Sequence, residues 1–192
     1  MAVIGIRYPI WSPYVSGGEG AAIVYGEAVT TDEIIEANVS WTRNTNVLYA
    51  SDRAVETDNS ITSGKITVNL DDVSPALATS MLGMIGSGSP VTYEDADVAG
   101  PHGGFGYIRV KRKKGVTSFE AYWIHDCQFV LTEETSVTRG ENIEWQTPKL
   151  EGTIFGADLD GSGLFKFRKM QSFATESAAK AYLDGMRKVH HV

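Results

Sequence analysis

A chain of 192 residues is long enough for one domain with a real core and marginal for two. Its 42% hydrophobic content and mean hydropathy of −0.15 are ordinary for a soluble globular protein, and without a run of ~18 apolar residues nothing predicts a membrane span. The formal charge of −7 opposes free nucleic-acid binding, which takes an excess of Lys and Arg, and the single Cys127 excludes an internal disulfide and any CxxC-type zinc site.

The opening MAVIGIRYPIW lacks the basic start and cleavage site of a signal peptide, so synthesis and folding in a cytoplasm are expected. Residues 1–20 show little periodicity and read as an N-terminal arm. Ile35, Ala37, Val39 and Trp41 alternate with Glu36, Asn38 and Ser40, the period of a half-buried strand. A long polar loop follows over about 43–61. Alternation returns in Ile66, Val68 and Leu70 against Lys65, Thr67 and Asn69. Ser74-Pro75 then caps a helix whose Leu77, Met81 and Leu82 share a face and which Gly83 stops.

The Gly/Ser-rich stretch 85–105 is again irregular. Tyr107–Lys113 and Val116–Val130 form β-rich runs joined as a hairpin at Lys114-Gly115. Asn142–Gln146 and Gly152–Phe155 read as strands separated by Pro148. A C-terminal helix is expected over about 175–188, with Glu176 at its positive end and Ala179, Tyr182, Leu183 and Met186 on one face. The expectation is therefore one mainly β domain over 1–192, a β-sandwich or barrel-like body with a flanking helix, a C-terminal helix and extended arms.

Charge is uneven along this chain. Arg109, Lys111, Arg112, Lys113 and Lys114 cluster without an acid, whereas Glu133, Glu134, Glu141 and Glu144 face Arg139 alone. Such patches suit head-to-tail contacts between copies, or are two solvated faces that never meet.

Signatures of chemistry are sparse. No HExxH, GxSxG or Walker-type loop occurs. Asp158-Leu159-Asp160-Gly161-Ser162-Gly163 begins like a calcium loop, but its ninth and twelfth positions are Lys166 and Lys169, so it reads as a polar turn. His125 and Cys127 fall in a strand as structural residues. His102 lies in the irregular stretch, and His190-His191 stand at the terminus, native or added. Carboxylate pairs (Asp71-Asp72, Glu133-Glu134, Glu141/Glu144) lack the surrounding tryptophans of a sugar cleft. No enzyme, metal or cofactor is expected.

Several segments together resemble one family. They include Ala2–Pro9, Leu48-Tyr49-Ala50-Ser51-Asp52, Glu56 with Asp58-Asn59-Ser60, and Gly64–Ser74. Further along come Glu120–Trp123, Arg139–Pro148, Leu150–Ile154 and Phe173–Glu176. In order and spread they resemble the major tail protein, or tail-tube subunit, of long-tailed non-contractile bacteriophages, in particular the phi13-type group. The 85–102 stretch has no counterpart in that pattern. The resemblance implies a virion protein assembled in the bacterial host cytoplasm. Six copies would form a ring, and rings would stack into a hollow tube around a tape-measure protein, with tail terminator and distal tail proteins at its ends. Double-stranded DNA would pass through without specific binding.

On that reading three sets of residues are expected to matter. Val47, Leu48, Tyr49, Asp52, Glu56 and Asp58 form an arm that touches a neighbouring subunit; the alternative is an ordinary surface loop. Arg109, Lys111, Arg112, Lys113 and Lys114 form a basic hairpin that meets acids of the next ring. Glu36, Asn38, Asn69, Glu144 and Gln146 face the lumen, where an acidic wall repels phosphate. The rivals are a monomeric β-sandwich binding module, for example for carbohydrate, and an enzyme whose cleft gathers carboxylates.

Overall fold

This computed structural model describes residues 2–17, 23–30, 33–50, 52–86, 92–93, 99–135, 138 and 147–187. Its strands and helices run β1 (Ala2–Ser16), β2 (Val24–Tyr25), β3 (Val29–Thr30), β4 (Ile34–Arg43), β5 (Asn46–Ala50), β6 (Arg53–Asp58), β7 (Ile61–Leu70) and α1 (Pro75–Leu82). They continue as β8 (Ile85–Gly86), β9 (Thr92–Tyr93), β10 (His102–Lys113), β11 (Val116–Glu133), β12 (Lys149–Phe155), β13 (Arg168–Phe173) and α2 (Glu176–Met186). Over the described residues the chain is mainly β with two helices, as its sequence predicts. Among the described residues one antiparallel sheet of nine strands has the order β2-β1-β10-β11-β12-β7-β4, with β13 also on β11 and β3 also on β1.

Strand β11 organises this sheet. One edge pairs with β10 along its length; the other pairs with β13 over Phe119–Ile124 and with β12 over Asp126–Glu133. A bulge opposite Gly103–Phe105 lies between the halves and reverses which residues point inward. Tyr122 and Ile124 therefore enter the larger core from the first half, and Cys127 and Phe129 from the second. That core also takes residues from β1, β4, β7, β10, β12 and α1. Strand β4 comes back against β1 without pairing to it, so the sheet curls into a barrel open along one seam.

Helix α1 plugs the barrel. The Ser74 side chain accepts from the Leu77 amide at 3.4 Å, Pro75 takes the first turn, and Gly83 closes at φ 74°. Leu77 and Met81 are fully buried, and the Trp11 indole donates to the Ser80 carbonyl at 3.0 Å. A second, smaller core lies on the other side of β10 and β11. There Ile10, Ile108, Ala121 and Trp123 are covered by Ala179, Leu183 and Met186 of α2. Thr175 caps α2 and Glu176 opens it, as expected; residue 188 lies outside the described residues.

Three expectations need correction. The arm expected over 1–20 is the long strand β1, bonded to β10 from Ala2 to Pro13. Pro9, Pro13 and a bulge in which Tyr8 takes φ 53° hide its alternation. The loop expected over 43–61 is the hairpin β5–β6. Of the irregular stretch 85–105, residues 102–105 open β10, where Gly103 and Gly104 let Trp11 and Trp123 pack against bare backbone. The expected strand at 142–146 lies outside the described residues, and the one at 152–155 begins earlier, at Lys149.

Candidate self-assembly surface

The hairpin β5–β6 continues the β4–β7 pair beyond the edge of the barrel. The β4–β7 register runs out at Arg43–Ile61, the Asn44 amide donates to the Ser60 carbonyl at 2.8 Å, and Asn46 then pairs with Asp58. Among the described residues β5 and β6 bond only to each other, and all six positions of β6 are exposed. Val47 and Tyr49 lie on one face, across from Thr57 and Ala54, and Leu48 pairs with Glu56 on the other. Tyr49 is 69% and Leu48 60% exposed, and Val55 at a bulge adds to them. A free two-stranded hairpin is at best marginally stable in water, and this one carries apolar side chains on both faces.

Two of the six residues expected as subunit contacts have local work. Asp52 takes φ 60° in the turn that joins Ala50 to Arg53, a left-handed conformation that Asp tolerates better than most residues. Asp58 clasps the elbow: its carboxylate accepts from the Ser60 amide at 2.9 Å and from the Asn44 side chain at 2.7 Å. The Ser60 amide, then the Ser60 and Asn44 side chains, hold its pKa below the ordinary value. Arg43 adds a bond to the Asn59 carbonyl at 3.0 Å.

The basic hairpin is present, and its turn has Lys114 at φ 49° and Gly115 at φ 83°, the paired positive values of a type I′ connection. Its five cations are not equivalent. Lys111 forms an ion pair with Glu120, and Arg109 lies 5.3 Å over the Tyr122 ring while donating to its hydroxyl at 3.3 Å. Tyr122 in turn donates to Glu120. Burial pushes the Glu120 carboxyl up, but bonds from Lys111 and Tyr122 and the charges of Lys111 and Arg109 outweigh it and leave the pKa lowered. Arg112, Lys113 and Lys114 are exposed and, among the described residues, without an acidic partner.

Of the residues expected to face a lumen, Glu144 and Gln146 lie outside the described residues. Glu36, Asn38 and Asn69 share the outer face of the sheet. The strand register aligns three rows across β4, β7, β12 and β11: Glu36–Asn69–Lys149–Glu133, Asn38–Thr67–Glu151–Val130 and Ser40–Lys65–Thr153–Gln128. Asn69 donates to Glu36 at 3.3 Å. Lys65 and Lys149 also stand on this face, both drawn to Glu151, whose pKa the Lys65 bond lowers first. The face is thus mixed in sign, three carboxylates (Glu36, Glu133 and Glu151) against two lysines. Sequence reasoning set Lys65 on the polar side of β7 but missed Lys149 and Glu151, which only the register brings beside it.

The calcium-like loop satisfies itself. Asp158 accepts from the Asp160 amide at 3.3 Å and the Gly163 amide at 3.0 Å, and Lys166, at the ninth position, pairs with Asp160. Hydrogen bonds from Lys166 and Ser162 hold the Asp160 pKa at about 2. His125 and Cys127 are buried, and burial raises the Cys127 thiol well above its ordinary value. His102 pairs with Asp126 at 2.8 Å, and His190 and His191 lie outside the described residues.

No protein-family model matches this chain, and no curated protein does. Among the described residues no helix is long and apolar enough to cross a membrane.

Proposed function

We propose that this chain is a structural subunit that works by assembling with copies of itself, in the manner of the phage tail-tube proteins its sequence resembles. Six copies form a ring, and stacked rings make a hollow virion tube through which double-stranded DNA leaves the capsid. The observation that carries this reading is the β5–β6 arm, an exposed hairpin whose apolar residues are covered by none of the described residues.

Open sheet edges support the same reading. Among the described residues strand β4 bonds only to β7, and its ten residues include neither the Lys nor the Pro that commonly protect an edge. The first half of β1 likewise bonds, among the described residues, only to β10. Edges of this kind are completed by a strand from the next copy, and a contact between two different patches repeats into rings and stacks.

The outer face with Glu36, Asn38 and Asn69 is the proposed lumen wall. Its two lysines share the single charge of Glu151, and with Glu36 and Glu133 added the three carboxylates outnumber the two cations by one. Glu36→Lys then leaves tubes intact and slows DNA release in phage carrying it; unchanged release removes Glu36 from the wall.

Negative-stain microscopy of the concentrated protein tests the main reading. Wild type is expected to form rings or tubes. A variant with 46–58 replaced by a two-residue turn between Thr45 and Asn59 keeps the Asn44–Ser60 bond and is expected to stay monomeric with an unchanged fold. A wild type that remains solitary when crowded, as a binding module would, overturns the proposal, and so do normal tubes from the shortened variant.

A further inference from the structure

Besides the arm, the chain has a second exposed apolar patch, on the segment Leu164–Met170. Leu164 is 69%, Phe165 64% and Met170 57% exposed. The segment contains Lys166, Arg168 and Lys169 and no acid. It is braced rather than loose. Ala157 and Lys166 exchange backbone bonds at 3.1 and 2.9 Å, and the Asp158 and Asp160 carboxylates tie down the turn that precedes it.

The patch is continuous with the barrel. Phe165 and Phe167 both crowd Gly156, where an added Cβ would meet them at 2.7 and 3.3 Å. Phe167 packs edge-on to Trp41 at 5.8 Å, and Arg168 lies over Trp41 at 5.2 Å and over Tyr122 at 5.4 Å. Met170 is two residues beyond Arg168 on the same face of β13.

The arm has the complementary character. It too is apolar at its centre, but its charges are Asp52, Glu56 and Asp58 against Arg53 alone. One segment is thus apolar and acidic, the other apolar and basic, and both are solvent-exposed in the single chain. The elbow bonds at Arg43, Asn44 and Asp58 hold the arm in line with β4 and β7.

We infer that the Leu164–Met170 patch of one copy is the receptor for the β5–β6 arm of the next. This rests on the self-assembly reading and names the surface that reading requires. Tyr49, Leu48 and Val55 cover Leu164, Phe165 and Met170. The contact joins two different patches, so it propagates from copy to copy instead of closing as a two-fold dimer. A braced receptor and a clasped arm lose little freedom on docking.

Disulfide trapping tests it. Tyr49→Cys and Leu164→Cys are placed on separate copies, and the two proteins are mixed under mild oxidation; the buried Cys127 does not compete. A covalent dimer that forms only in the mixture is expected. No dimer, while wild type still builds rings, overturns the inference and leaves the self-assembly reading standing. Wild type that never assembles overturns both. A chain carrying both cysteines is expected to give a ladder of multimers, and an internal disulfide in a monomer instead refutes the inference.

Tyr49 and Leu164 are exposed, and matching thermal midpoints check that each cysteine variant is folded.

Discussion

Arg7 in β1 and Glu176 in the first turn of α2 stand 169 residues apart and meet at 2.6 Å. The contact ties the two ends of the described chain together, yet it adds little energy. Arg7 is exposed, and surface ion pairs contribute about 0–1 kcal/mol. What holds α2 is the burial of Ala179, Leu183 and Met186 on Ile10, Ile108 and Trp123. Arg7→Ala is therefore expected to lower unfolding stability by less than ~1 kcal/mol. Leu183→Ala, which opens a cavity, is expected to lower it by ~2–5 kcal/mol. Urea unfolding of the two variants checks the contrast.

Gly104 supplies the space for Trp123. A Cβ there would sit 2.4 Å from the indole and 2.8 Å from the Tyr25 ring, which itself packs edge-on to Trp123 at 5.2 Å. Neither ring can move, since Trp123 donates to the Tyr25 hydroxyl and Tyr25 donates to the His125 carbonyl. Gly104→Ala is expected to cost about 1–3 kcal/mol of overpacking. Gly5→Ala, with nothing within 4 Å, is the neutral control. Thermal unfolding distinguishes them.

Acid acts on the Glu120 cluster. The folded pKa of Glu120 is below its ordinary 4.5, so the stability it contributes is fully present above that value and is lost as pH falls through the lowered one. The thermal midpoint of wild type should therefore fall further than that of Glu120→Gln between pH 6 and pH 3. Equal losses would show that Lys111 and Tyr122 do not favour the charged form.

The elbow of the arm depends on Asp58. Removing its carboxylate frees the Ser60 amide and the Asn44 side chain without touching either core. Asp58→Ala is expected to speed amide exchange across 46–58 several-fold, as expected of local opening, and to leave exchange in β10 and β11 unchanged. Exchange read by mass spectrometry decides this.

Salt should weaken assembly through Arg112, Lys113 and Lys114, the hairpin cations with no acidic partner among the described residues. Raising ionic strength from 0.05 to 0.5 M shortens the screening length to roughly a third. Tube yield by sedimentation is expected to fall, and a triple Ala variant to assemble less well at low salt and to lose most of that salt dependence.

Much of the body is legible in the residues because burial imposed a period on them. The β4–β7 pair alternates cleanly, since one face meets the barrel core and the other is bare. Helix α1 announces itself by Ser74, Pro75 and Gly83, and the β10–β11 turn by Lys114-Gly115. Strand β1 does not, because two prolines and the Tyr8 bulge interrupt it. Strands β5, β6 and β13 are largely exposed, so no core selects a pattern in them. The bulge in β11 reverses inward and outward positions halfway, which no fixed period can express. The outer face was read as polar from alternation alone; its two lysines come from β7 and β12, and only pairing places them together.

The smaller core has a consequence for synthesis. It needs Ala179, Leu183 and Met186, so it cannot close until residue 186 has left the ribosome. The arm ends at Asp58, 128 residues earlier. At ~5–20 residues per second the adhesive hairpin is in the open for roughly 6–26 s before the body it belongs to is finished. Neighbouring nascent chains on one message are crowded during that interval. Asp52, Glu56 and Asp58, set among Leu48, Tyr49 and Val55, are the kind of charges that keep such segments from sticking to one another too soon.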